Sequence, residues 1–166
     1  MYKMYSIFTL ISGIIMTPLW SGFTHAYVNK EFKWISKVIL KLIILIIPLI
    51  IGCVLVLLLR NEIITIWMGV NIDIPFFLGV FLGISTILTI WSNIFAYFLN
   101  GVGILKGQLI TVGIGAIINI PLSYIFSVIF NMGSSGVAFA SSISLLIFSI
   151  YGPLKVYRIL KDSEKI

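Results

Sequence analysis

Groups that do chemistry are scarce in this sequence. Its 166 residues hold one histidine, one cysteine and five acids. The acids are Glu31, Glu62, Asp73, Asp162 and Glu164. Paired carboxylates for acid–base work, a Ser/His/Asp set and a metal-ligand cluster all need groups that this small pool does not supply together. The expectation is no enzyme: no catalytic residue, no metal and no cofactor. The lone Cys53 has no partner for an intramolecular disulfide and lies within an apolar run, so it says nothing of redox compartment. Charge is thin as well, at 10% of residues where soluble domains carry roughly 25%. A net +6 remains, but its cations are scattered in the gaps between apolar runs. That spacing excludes a basic face for nucleic acid, and membrane topology accounts for it.

What the chain has in abundance is apolar side chains, 60% of the total. Five continuous stretches are each long enough to cross about 30 Å of hydrocarbon, which takes roughly 20 helical residues. They cover positions 4–28, 39–59, 75–99, 108–130 and 136–154, with a tail at 155–166. The runs are continuous rather than alternating, which predicts helices and not a barrel. The expected fold is all-α, an integral membrane bundle of five transmembrane helices in one domain. Pro75 suits the start of the third span, where a missing N–H costs nothing. The first run is too long for a leader's apolar core and lacks a basic segment before it, so no cleavable signal is expected.

The loops set the orientation. Lys30, Lys33, Lys37, Lys41, Lys106, Lys155, Arg158, Lys161 and Lys165 fall on one side, and only Lys3 and Arg60 on the other. Glu62 and Asp73 accompany the second group. The positive-inside rule makes the lysine-rich side cytoplasmic, with the N-terminus outside and the C-terminus inside. An external N-terminus without a leader is natural if further helices precede Met1, so a fragment is expected. Trp20, Trp34, Trp67, Tyr27 and Tyr97 sit near span ends, as interfacial anchors do. The short stretch 61–69 is amphipathic and reads as lying along the outer interface. His25, close to Lys30 and Trp34, reads as interfacial rather than catalytic. Gly101 and Gly103 read as a tight turn, because no strand precedes them to make a phosphate-binding loop.

Polar and small residues recur at helical spacing in four spans. The rows are Thr9, Gly13, Thr17, Ser21 and His25; Ser85, Thr89, Ser92, Asn93 and Asn100; Gly107, Thr111, Gly115, Asn119 and Ser123; and Gly136, Ala140 and Ser144. The second span, aliphatic almost all round, is expected to face lipid most. Two readings of the rows stand side by side. They pack helices closely, with hydroxyls and amides bonding across, or they line a hydrated cavity, since an intramembrane amide needs partners or water. Thr89, Asn93, Asn119 and Ser123 are the candidates for cavity lining. Pro48 and Pro121 lie inside spans and free carbonyls about four residues earlier. No acid is buried in a span, which argues against a proton or sodium site within these helices.

One stretch has a family likeness. TPLWSGFTHAYVNKEFKWISK, residues 17–37, resembles the part of polysaccharide (O-antigen type) flippases where a Pro-Leu-Trp helix leads to an Ala-Tyr pair, a charged turn and a Trp-Ile. Here these are Pro18–Trp20, Ala26–Tyr27, Lys30–Lys33 and Trp34–Ile35. IWMG (Ile66–Gly69), FLNGVG (Phe98–Gly103), GAIINIPLSYIF (Gly115–Phe126) and MGSSGVAFASSIS (Met132–Ser144) follow in the family's order. The family belongs to the multidrug/oligosaccharidyl-lipid/polysaccharide exporter superfamily. The resemblance implies most of the C-terminal six-helix bundle of a twelve-helix exporter in the bacterial inner membrane. It implies alternating-access flipping of an undecaprenyl-type lipid-linked oligosaccharide, with the missing N-terminal bundle supplied in cis or trans. His25 stands where the family more often has an acid. Cations for a pyrophosphate would lie in that other bundle, because no Lys or Arg is at mid-membrane here. A drug/cation antiporter of the same superfamily, a non-transport membrane subunit and a decayed gene product stay open as alternatives.

Overall fold

The structure, a computed structural model, describes residues 1–69 and 74–163. Asp73, Glu164 and Lys165, counted above with the loop and tail charges, lie outside the described residues. Helices α1 (Tyr2–Val28), α2 (Phe32–Leu58), α3 (Arg60–Met68), α4 (Phe76–Gly101), α5 (Lys106–Tyr124) and α6 (Ser134–Ser163) make up nearly all of it. A π-helical turn, Ile125–Ile129, continues α5. Five of these helices, all but α3, are long and apolar enough to cross a membrane. The chain is an all-α helical bundle of multi-pass membrane character.

Helix ends follow local rules. Pro75 stands one residue before α4, as its N-cap, and its carbonyl accepts from Gly79 N–H at 3.4 Å. At the other end of α4, Gly103 takes φ +75°. Its N–H then reaches Asn100 O at 3.2 Å, and the Ile104 N–H reaches Leu99 O at 2.9 Å. That pair of bonds is a Schellman stop; it makes Val102–Gly103 the tight turn expected there, while Gly101, also read as part of that turn, is the last residue of α4. The end of α1 closes the same way with a lysine in the left-handed position. Lys30 has φ +59°, and its N–H and that of Glu31 bond Tyr27 O and Ala26 O at 3.2 and 2.8 Å. The residues read as a tail from 155 continue α6 as helix to Ser163, because Val156, Ile159 and Leu160 pack into the core.

Helix α4 is the centre of the bundle, with α1, α2 and α6 packed around it. Met16, Phe23, Ile35, Ile39, Ile90, Ile94, Phe98, Leu99 and Phe148 form its core. At the lysine-rich end the aromatics lock edge to face: Phe23 with Phe98 at 5.5 Å, Trp20 with Tyr97 at 6.1 Å, and Phe23 with Trp34 at 6.2 Å. Thr24 Oγ1 donates to Gly101 O at 2.7 Å, tying the end of α1 to the end of α4. At the opposite end Arg60 donates to Ile74 O and Leu57 O at 3.1 and 3.3 Å, and its guanidinium lies 5.4 Å from the Phe76 ring centre. In lipid an apolar side chain gains little by moving from lipid to protein, so close packing and these directed bonds hold the helices together.

One expectation fails. It is α5 rather than α2 that faces outward most. Helix α5 buries only Gly115, whereas α2 buries Ile35, Ile39, Leu42, Ile46 and Cys53. Hydropathy measures preference for lipid over water and is blind to which apolar face meets another helix. Here α5 touches α6 and the π-turn, and lies away from α4.

Candidate functional site

The gap left between α4 and α5 is closed at the back by α6. It forms a cleft of about 500 Å³, within the size range of small-molecule sites. Three helical rows converge on it. Helix α4 contributes Thr89, Ser92, Asn93 and Ala96; α5 contributes Gln108, Val112, Gly115, Ala116 and Asn119; α6 contributes Ser141, Ser144, Leu145 and Phe148. Each set repeats every three or four residues, as one face of a helix must. No charged side chain is among these lining residues. On a 1.5 Å rise per residue, Gln108 and Asn119 stand about 16 Å apart along α5. The polar groups therefore run from the lysine-rich end towards the middle of the bundle.

The four residues singled out from the sequence separate here. Thr89, Asn93 and Asn119 line the cleft, while Ser123 is outside its lining. Ser123 lies one turn beyond Asn119 and donates to its Oδ1 at 3.4 Å. Asn119 is held firmly: its Nδ2 donates to Ser144 Oγ at 3.2 Å and to Ser141 Oγ at 3.4 Å. Those two serines pass their own protons to Ala140 O and Val137 O, at 2.9 and 3.0 Å. Thr89 spends its hydroxyl on Ser85 O at 2.8 Å. The rows thus divide between the two readings. Ser85 and Ser142 bond across α4 and α6 at 2.9 Å and belong to packing. Gly115 and Gly136 belong there too: a Cβ would stand 2.9 Å from Ser144 O and 2.7 Å from Phe126 O.

Two lining groups are less settled. Ser92 Oγ and Gln108 Oε1 are both buried without a hydrogen-bond partner, and Ser92 as a whole is 7% exposed. Gln108 was not singled out from the sequence, because it opens a span where an interfacial role is the default. Ser92 was seen only as one member of a row. Trp91 was missed as well. Its Nε1 donates to Ser149 O at 2.9 Å across α4 and α6. That carbonyl is the one a helical residue 153 would bond, and Pro153 has no N–H to give.

His25 is on the exposed side of α1, beside the Asn29 amide at 3.1 Å. A shallow groove there is lined by Thr17, Trp20, Ser21, Thr24, His25 and Val28. Among the described residues, no three of His, Cys, Asp and Glu come together in a metal-binding arrangement. No protein family, curated protein or solved structure matches the chain.

Proposed function

We propose that this chain is part of a transporter, not an enzyme, that moves a lipid-linked oligosaccharide across the bacterial inner membrane by alternating access. The observation that carries the reading is the uncharged polar cleft between α4, α5 and α6, set inside a bundle whose outer faces are mostly apolar. Ser, Thr and Asn along a cleft give successive hydroxyl and amide partners to a sugar, which is neutral and rich in both donors and acceptors. Two further features support movement of one wall. Helix α5 packs chiefly on α6 and its own π-turn, which begins four residues after Pro121; such turns recur at functional sites.

The lysine-rich end is the cytoplasmic one in this reading. A second helical bundle, in the same chain or another, completes the pathway. Thr17, Ser21, Thr24 and His25 support it, because they form a strip of polar side chains exposed along one face of α1. The test is photocrosslinking in native membranes with a diazirine-bearing undecaprenyl-pyrophosphate oligosaccharide. The expected result is labelling of peptides from the cleft that unlabelled lipid-linked oligosaccharide suppresses. Labelling spread evenly over the outer faces, or efflux of a cationic drug driven by an ion gradient, would overturn the proposal.

A further inference from the structure

Ser92 and Gln108 stand out from the other polar residues of the cleft. Asn119, Ser141, Ser144 and Thr89 all have partners within the bundle. Ser92 Oγ and Gln108 Oε1 have none, although both are buried. A buried polar atom left unpaired costs on the order of 1–3 kcal/mol, and an alanine and a leucine would fill those places without that cost. Their chain neighbours Trp91 and Gly107 meet α6 at Ser149 O and at the Tyr151 ring, two residues apart on that helix, which places both towards the Phe148 end of the cleft. Val112 and Phe148 line the wall beside them.

We infer that this end of the cleft is a binding site for a neutral, hydroxyl-bearing headgroup on an apolar body, with Ser92 and Gln108 as its hydrogen-bonding pair. The chemistry selects the class. A carboxamide accepts from one hydroxyl and donates to its neighbour, and a serine hydroxyl does either. Both are neutral, so neither repays the desolvation of a phosphate, for which an arginine or lysine is needed. No acid among the lining residues balances a cation. The apolar wall at Val112 and Phe148 suits the non-polar face of a sugar ring or the first carbons of a lipid. The site thus reads the sugar and leaves a phosphate linkage to groups outside the cleft. This deepens the transport reading, and rests on it for why such a lipid enters the bundle.

The experiment uses the full chain in lipid nanodiscs, with tritiated monoglucosyldiacylglycerol as the probe. Saturable binding is expected, displaced by unlabelled glycolipid and at least tenfold less well by diacylglycerol or undecaprenyl phosphate. Ser92→Ala and Gln108→Leu should each weaken it about tenfold, one hydrogen bond's worth. Thermal stability should hold or rise, since each variant removes an unpaired buried group; a lost signal is then not a lost fold. Gln108→Lys provides the second arm: it should abolish glycolipid selectivity and confer binding of undecaprenyl phosphate. Unchanged glycolipid affinity in the first two variants, or equal competition by diacylglycerol, would overturn the inference. Glycolipid binding that depends on the pair but without crosslinking by the oligosaccharide lipid would retain this site and remove the transport reading. Crosslinking with no dependence on the pair would do the reverse.

Discussion

The Trp91–Ser149 bond offers a sharp test of how α4 and α6 are joined. In an unbroken helix the Ser149 carbonyl would accept from the N–H of residue 153, but that residue is Pro153. The indole N–H of Trp91, at 2.9 Å, stands in for the missing donor from a neighbouring helix. Trp91→Phe keeps a ring against Phe95, whose centre is 5.1 Å away, and removes only the donor and part of the ring. Ser149 is buried, so its carbonyl would then be unpaired in a dry site. The expected loss is about 1–2 kcal/mol, one directed bond plus part of the desolvation penalty. Pro153→Ala returns the helical N–H to the same carbonyl. In that background Trp91→Phe should cost about 0.5 kcal/mol, leaving a coupling of about 1 kcal/mol. Steric trapping of doubly biotinylated protein in bicelles measures these free energies without a denaturant. Equal costs of Trp91→Phe in the two backgrounds would refute the reasoning, since the indole could not then be replacing the lost backbone donor.

Three further outcomes follow from the packing. Gly115→Ala and Gly113→Ala make the same change of helix propensity in α5, but only at Gly115 does the new methyl meet a backbone oxygen, Ser144 O at 2.9 Å; by the same trapping assay Gly115→Ala should be less stable by about 1–3 kcal/mol. Lys30→Gly relieves the left-handed position that ends α1 and should stabilise by about 0.5–1 kcal/mol, the steric cost of that backbone less glycine's extra entropy, with thermal unfolding of purified protein as the check. In a Cys53→Ala background, a membrane-impermeant maleimide added to spheroplasts should label Thr65→Cys and leave Ser36→Cys unlabelled; the opposite pattern would invert the orientation read from the lysines.

How far the sequence spoke differs from residue to residue, and the reason is physical. Span number and helix character were legible because hydrocarbon imposes both, through length and through the need to satisfy every backbone group inside the segment. The polar rows were legible as rows for the same reason, since a helix puts every third or fourth residue on one face. What each row faces was not. Ser85 and Ser92 are the same letter on α4, yet one bonds Ser142 and the other has no partner. That difference is set by how α4 is rotated against α6, a tertiary quantity no local pattern contains. Helix α2 was misjudged by the same blindness, because greasiness does not tell a lipid-facing isoleucine from Ile35 or Ile39 in the core. Trp91 was hidden more deeply. Its partner is a backbone carbonyl freed by the absence of an N–H four residues on, so no residue type at the accepting position could have marked it. A proline within a span is thus as much a statement about the neighbouring helix as about its own. In this chain Pro153 leaves a carbonyl open, Trp91 closes it, and the contact fixes α4 against α6 one residue away from Ser92, where the cleft is polar and unfilled by its own side chains.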